Sequence, residues 1–266
     1  MSKFVHLKDK YGNDMWFGHP VVRMPASEDV EDYDKQLQIL KDMQLRPDDV
    51  ITVAYPKSGL NWTNHMVTML LDGTTEIPPV LNDNTYIYMD HAGSKKQLPP
   101  PVKPRALWSH LRFRYLPRDV TEKKVKLVYI TRNPKDVFVS QFCYLKNFSD
   151  KMGYAGTWPQ FFEVMLEQGY WFGDLFEYLR DWEREIDNHP DHPIIQVSFE
   201  DLKQNTLKEV ERLNEFLGTK RSQEFCETVA HTCRFSNMHV TRKFGEDIVK
   251  SADWRKDIPT TCFFRK

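Results

Sequence analysis

Four short apolar runs along the chain have the composition of strands that are buried on both faces of a parallel sheet. They are rich in β-branched and large aliphatic residues and carry few charges. The predicted strands are Val50–Ala54, Arg105–Ser109, Val125–Ile130 and Ile194–Val197. Each run lies between segments with a helical or loop-like pattern, and no internal repeat is visible.

Apolar residues at helical spacing separate these strands. The clearest helix start follows the third strand, where Asn133 suits the N-cap, Pro134 suits the first helical position and Asp136 lies in the first turn. The other predicted helices follow residue 59, begin at Trp158-Pro159, run from Trp171 to Ile186, and run from about Asp201 to Leu217 with Gly218 as the stop.

This alternation of strands and helices predicts an α/β fold. We expect a single domain with a central parallel sheet and helices on both faces. In such a sheet, ligands bind at the carboxyl ends of the strands. The loops after Ala54, Ser109, Ile130 and Val197 are therefore expected to meet at one edge and to form the functional site.

Charge and cysteine content narrow the class of partner. Among 266 residues, 37 Lys and Arg face 38 Asp and Glu, and the net charge of −1 gives no reason to expect nucleic-acid or membrane-surface binding. Residues 1–18 lack the apolar segment of a signal peptide, and no stretch approaches the roughly 18 apolar residues of a membrane span. The four cysteines show no Cys-x-x-Cys spacing, so we expect no metal or redox motif and favour a reduced, cytoplasmic setting.

Residues 55–62 join the first predicted strand to a helix through a loop that contains Lys57 and Gly59. A strand, a tight loop and a helix N-terminus bring several backbone N–H groups around a small volume, which suits an anion. The loop is not a Walker A motif, because Lys57 precedes Gly59 and comes off the strand end instead of lying on the first helical turn. It is a P-loop-like strand–loop–helix, although the same tripeptide alone would also fit a surface turn with an exposed lysine.

Four motifs follow one another in an informative order and spacing. They are Tyr-Pro-Lys-Ser-Gly at residues 55–59, Ser109-His110-Leu111, Thr-Arg-Asn-Pro-Lys-Asp-Val at residues 131–137 with Ser140, and Phe-Glu-Asp-Leu at residues 199–202. Together they resemble the cytosolic sulfotransferase family, from about Gly18 to the last residue. The resemblance implies metal-independent transfer of a sulfonate group from 3′-phosphoadenosine-5′-phosphosulfate (PAPS) to a hydroxyl or amine of a small molecule. The reaction would be an in-line displacement, and its nucleotide product would be 3′-phosphoadenosine 5′-phosphate (PAP).

The resemblance implies a role for each matching residue. His110 is the expected general base, since a neutral imidazole can take the proton of an acceptor hydroxyl. Lys57 is expected to stabilise the charge that grows on the departing phosphate. Arg132 and Ser140 are expected to bind the 3′-phosphate, which suits a guanidinium fork. The expected catalytic group is His110, Lys57 and Ser140.

The remaining implied contacts form a donor cradle and an acceptor pocket. The donor cradle is expected to comprise Lys57, Ser58, Gly59, Leu60, Asn61, Trp62, Arg132, Ser140, Phe199, Cys233, Phe235, Arg265 and Lys266. Its aromatic residues would flank the adenine. The acceptor pocket is expected from Tyr86, Met89, Tyr144 and Phe148, whose aromatic content suits a phenolic or other hydroxylated small molecule.

Several positions depart from the family pattern. Leu60 stands where a threonine is usual, Trp108 where a lysine is common, and Cys233 where a serine or threonine is frequent. Arg265-Lys266 resembles the start of a longer family segment, so we expect one sulfotransferase domain over residues 1–266 that is truncated at its C-terminal end. A homodimer fits the family, although its usual dimerisation segment is absent from this sequence. These features keep open an adenosine-bisphosphate-binding protein of the same fold with little or no transferase activity, and a nucleotide kinase is a weaker third hypothesis.

Overall fold

A central sheet of parallel strands organises the fold. The computed structural model describes residues 5–17, 38–76, 86–88, 104–147, 153–167, 173–234 and 237. The strands are β1 (Val5–Lys8), β2 (Asp14–Phe17), β3 (Val50–Ala54), β4 (Tyr86–Tyr88), β5 (Ala106–Ser109), β6 (Lys126–Thr131) and β7 (Ile194–Ser198). The central sheet has the order β4-β5-β3-β6-β7, and each neighbouring pair is parallel. β1 and β2 form a separate antiparallel pair.

The helices lie in the connections between these strands and in the segment that follows β7. They are α1 (Leu60–Asp72), α2 (Asp119–Glu122), α3 (Pro134–Leu145), α4 (Trp158–Glu167), α5 (Leu175–Asn188), α6 (Phe199–Gln204), α7 (Thr206–Leu217) and α8 (Gln223–Thr232), with a 3₁₀ turn at Phe113–Tyr115. Within the described ranges, none of the helices is both long and apolar enough to cross a membrane.

Two apolar layers lie on opposite faces of the sheet. On one face, Ile51, Val53 and Tyr129 pack with α3, α4 and α5, and the ring of Tyr129 stacks on Trp182 at a centroid distance of 4.7 Å. On the other face, Val50 and Val128 pack with α1, α6, α7 and α8. Successive strand residues point to opposite faces, so uninterrupted apolar strands supply both layers. The predicted parallel sheet with helices on both faces is confirmed.

All four predicted strands are present, with bounds that differ by one residue at most. The register places Val53 beside Ser109 and Ala54 beside Ile130, so β3, β5 and β6 end at one edge as expected. The edge strand β4 was not predicted, because three residues are too few to form a recognisable apolar run.

The prediction of one helix from about Asp201 to Leu217 is wrong, because the chain leaves the helical conformation at Asn205 (φ −143°, ψ 75°). The side-chain oxygen of Asn205 accepts a hydrogen bond from the backbone N–H of Lys208 at 3.2 Å, so this residue ends α6 and caps α7. The predicted helix start at Trp171 lies outside the described residues, and α5 starts after the N-cap Asp174. The predicted start at Asn133-Pro134 is confirmed, since the Asn133 side chain accepts from the backbone N–H of Lys135.

Candidate active site

The loop between β3 and α1 turns sharply at residues 55–59. Two of its residues have left-handed backbone conformations, Lys57 with φ 70° and Gly59 with φ 102°. A Cβ atom at Gly59 would lie 2.7 Å from Cδ2 of Phe199, so both the conformation and the space require glycine there. Gly59 offers no capping side chain, and the first turn of α1 contains no acidic residue. The first backbone N–H groups of α1 therefore present a positive end that can bind an anion.

Lys57 lies half-buried at the centre of this loop. Its Nζ atom is 3.9 Å from the centroid of the Tyr144 ring, which comes from the last turn of α3. Burial and, to a smaller extent, the guanidinium of Arg132 lower the pKa of Lys57 from 10.5 to about 7. The site thus favours a neutral amine, and an anion placed beside the amine would favour its charged form.

Arg132 follows β6 and reaches across to the loop. Its Nη1 atom donates a hydrogen bond to the carbonyl oxygen of Lys57 at 2.8 Å, and its guanidinium lies 4.1 Å from the centroid of the Phe199 ring. The Nε atom of Arg132 is buried and has no hydrogen-bond partner among the described residues. An anion could accept from this N–H. Ser140 is half-buried on α3, the helix that follows Arg132 in the chain. Burial also lowers the pKa of Arg132.

His110 comes directly after β5. Its Nδ1 atom lies 2.7 Å from the carbonyl oxygen of Ala54, the last residue of β3. Because a carbonyl oxygen can only accept, Nδ1 must carry the hydrogen, and Nε2 is left with a lone pair. Burial lowers the pKa of His110 to about 4, and the charge of Lys57 acts in the same direction. The imidazole is therefore neutral near pH 7 and can accept a proton at Nε2.

Aromatic residues also border the loop. Trp62 and Phe199 meet edge to face with centroids 5.3 Å apart, and both are largely buried. The indole Nε1 of Trp62 donates to the carbonyl oxygen of Cys233 at 2.6 Å. The Cys233 thiol lies in the core, 3.6 Å from the sulfur of Met69, and burial raises its pKa to about 12. The backbone of Cys233 thus borders this region, whereas its thiol packs inside.

Leu60 and Trp108, the two residues that depart from the family pattern near the loop, belong to the same apolar cluster. Leu60 is 4% exposed and packs with Ala54 and Ile130, and Trp108 packs against this group. Leu60 and Trp108 therefore share one apolar contact beside the loop.

The structure brings together most of the predicted site residues: Lys57, Ser58, Gly59, Leu60, Asn61, Trp62, His110, Arg132, Ser140, Tyr144 and Phe199 lie on the loop or on elements that border it. Tyr86 lies on the edge strand β4. Met89, Phe148, Phe235, Arg265 and Lys266 lie outside the described residues. In the described part of the chain, no group of three or more His, Cys, Asp or Glu residues is arranged to hold a metal ion.

Two contributors to the site were not identified from the sequence. The Ala54 carbonyl selects the tautomer of His110, and a backbone atom leaves no compositional signal. Glu200 accepts hydrogen bonds from the backbone N–H of Asn133 at 3.0 Å and from the Ser198 hydroxyl at 3.2 Å, and so ties the ends of β6 and β7 together. Glu200 belongs to the Phe-Glu-Asp-Leu motif, which could have suggested this role.

Comparisons with known proteins also identify a sulfotransferase. A family model described as the sulfotransferase domain matches residues 47–266. The chain is 26% identical over 230 residues to sulfotransferase 1A1 of Mus musculus, covering 82% of this chain and 76% of the relative. It is 32% identical over 209 residues to sulfotransferase 6B1 of Danio rerio, covering 76% and 67% respectively.

Solved structures with the same fold also contain an adenosine bisphosphate. The crystal structure of mouse sulfotransferase SULT7A1 complexed with PAP has a TM-score of 0.70 at 25% identity, over 98% of this chain and 86% of that one. A structure of retinol dehydratase in a complex with retinol and PAP has a TM-score of 0.71 at 19% identity. The match covers 99% of this chain and 82% of that one and supports the fold.

Proposed function

This chain belongs to the sulfotransferase family, and from that premise we propose that the loop at residues 55–60, His110 and Arg132 carry out its reaction. The chain is an enzyme that transfers a sulfonate group from PAPS. The observation that carries the assignment of residues is the contact between His110 and Ala54, because it leaves an unprotonated Nε2 at the edge of the sheet where Lys57 and the N-terminus of α1 also lie. The domain proposed for this reaction is a single one over residues 1–266.

The donor would lie across the carboxyl ends of β3 and β6. Lys57 and the first N–H groups of α1 would hold its 5′-phosphosulfate end, since a helix N-terminus without an acidic first turn favours an anion. Arg132 would hold the 3′-phosphate through the Nε hydrogen that has no partner among the described residues, with Ser140 as a second donor. Trp62 and Phe199, with Phe235, would border the adenine.

His110 would begin the reaction by removing a proton. As its Nε2 atom takes the hydrogen of an acceptor hydroxyl, the acceptor oxygen attacks sulfur and the bond from sulfur to the bridging phosphate oxygen breaks. The electron pair of that bond stays on the phosphate, where the ammonium of Lys57 stabilises it. One proton thus moves to His110, one sulfonate moves to the acceptor, and no covalent enzyme intermediate forms.

We infer that the transfer needs no metal, because Lys57, Arg132 and the helix N-terminus supply the positive charge that the donor requires. The acceptor class would be a small hydroxylated or phenolic molecule. Tyr144 supports this part of the proposal, since its ring lies against Lys57 and could pack against a flat substrate at the point of reaction. A cytoplasmic location is proposed from the likeness to cytosolic sulfotransferases.

The test compares nucleotide binding with transfer. PAP binding is measured by calorimetry, and transfer from PAPS is measured over a panel of phenols and hydroxysteroids without added metal. We expect tight PAP binding and a sulfate ester on at least one acceptor. Tight binding without turnover on any acceptor would support the nucleotide-binding protein instead, and phosphate transfer from a magnesium triphosphate would support a kinase.

A further inference from the structure

The indole of Trp108 packs against an apolar cluster and also contacts the imidazole of His110. We propose that Trp108 is a positioning residue that holds the imidazole of His110 with its Nε2 atom facing the donor loop. The inference rests on the proposed role of His110 as the general base.

Strand geometry puts the rings of Trp108 and His110 on the same face of the sheet. Trp108 is the third residue of β5, and His110 follows two positions later, so their side chains point to the same face. Their ring centroids are 5.9 Å apart with an interplanar angle of 81°, which is an edge-to-face contact. Such contacts restrict how far either ring can turn.

The other side of Trp108 has a rigid support. The indole packs against Ala54, Leu60 and Ile130, whose exposed fractions are 0%, 4% and 1%. These residues come from β3, α1 and β6, so the indole rests on three elements of the site at once. A tightly packed apolar group of this kind moves little. Leu60 therefore contributes to the site through Trp108, although its side chain offers no polar atom.

His110 is then held at two points. The Ala54 carbonyl accepts the hydrogen of Nδ1 at 2.7 Å, and Trp108 limits rotation of the ring about that hydrogen bond. Both supports come from the neighbouring strands β3 and β5, whose register places Thr52 beside Trp108. A base that is held in this way loses little entropy when it reaches the reactive geometry.

Three variants separate positioning from packing. Trp108→Phe keeps an aromatic ring beside His110, whereas Trp108→Ala removes it. Trp158→Ala is the matched control, because this half-buried indole of α4 contacts Phe142, Phe161 and Phe162 and so reports the cost of losing an indole elsewhere. Transfer is measured at saturating donor and acceptor, and PAP affinity is measured by calorimetry.

We expect Trp108→Ala to lower kcat by about 2- to 10-fold, the effect of one aromatic pair, while the Kd for PAP stays within about twofold. Trp108→Phe should restore most of kcat, and Trp158→Ala should leave it unchanged. An equal loss of kcat in Trp108→Ala and Trp158→Ala, or an equal loss in Trp108→Phe and Trp108→Ala, would overturn the proposal.

Nitrogen-15 NMR tests the same proposal without relying on turnover. In ¹⁵N-histidine-labelled protein with PAP bound, His110 is assigned by comparison with His110→Gln. The wild type should show a protonated Nδ1 and an unprotonated Nε2, whereas Trp108→Ala should move both shifts toward each other, because a ring that leaves the Ala54 carbonyl can exchange between its two tautomers. Identical shifts in the two proteins would overturn the positioning role. Absence of transfer in the wild type, with this difference in shifts present, would instead overturn the proposed function alone.

Discussion

The pKa of Lys57 makes nucleotide binding a proton-linked event. Burial and the nearby Arg132 lower this pKa from 10.5 to about 7, so the free protein loses the charge of Lys57 as the pH rises through 7. A 5′-phosphate placed beside Nζ favours the charged amine and raises its pKa again. Binding of PAP should therefore draw one proton from solution wherever the free amine is neutral.

The size of this uptake follows from the titration of the free protein. If bound PAP restores an ordinary lysine pKa, uptake at Lys57 should be about 0.1 proton at pH 6, about 0.5 at pH 7 and about 0.9 at pH 8. Affinity should correspondingly fall by up to about tenfold for each pH unit above 7. The phosphate groups of PAP should act in the opposite direction, because cations beside them lower their pKa and make them release protons on binding.

Calorimetry in pairs of buffers with different ionisation enthalpies measures the uptake directly. Lys57→Met should abolish the rise in uptake between pH 6 and 8, since the titrating amine is gone. Lys135→Met is the matched control, because Lys135 is an exposed lysine of α3, and it should keep the wild-type uptake. The reasoning would be refuted if wild type and Lys57→Met took up the same number of protons at pH 8.

Three further substitutions test individual contacts. His110→Ala should lower kcat by about 10²- to 10⁴-fold with PAP affinity unchanged, as isothermal calorimetry and a transfer assay can check, and an equal loss of both would make His110 structural. Arg132→Ala should weaken PAP binding by about 10- to 100-fold, and the loss for adenosine 5′-phosphate should be smaller; equal losses would contradict the 3′-phosphate assignment. Gly59→Ala should lower the free energy of unfolding in urea by about 1–3 kcal/mol, because φ is 102° and the new Cβ would meet Phe199, whereas an unchanged midpoint would contradict this steric account.

The sheet could be predicted from the sequence because buried strands carry a dense local signal. Each of the four central runs is apolar and uncharged over several residues, and the Asn133-Pro134 start is a capping pattern with a direct physical cause. By contrast, the break at Asn205 was missed, because the apolar spacing of α6 and α7 continues across it. The deciding feature is the backbone angle that lets the Asn205 side chain cap α7.

The candidate site was predictable only in part. The types of Lys57, His110 and Arg132 indicated an anion site once their spacing matched a known family. The contacts that give these residues their properties are not local in sequence: the Ala54 carbonyl faces His110 across 56 residues, and Arg132 reaches the Lys57 carbonyl across 75. The shared packing of Leu60 and Trp108 likewise joins two separate motifs, so two departures that appeared independent belong to one contact.

The most direct test of the central claim is a crystal structure of the chain with PAP. We predict that the 5′-phosphate lies within hydrogen-bond distance of Nζ of Lys57 and of the first N–H groups of α1, with the 3′-phosphate on Arg132 and Ser140. Nε2 of His110 should face the vacant side of the 5′-phosphate, where the sulfonate would stand. A nucleotide bound elsewhere, or one with its 3′-phosphate on the loop at residues 55–60, would contradict the account.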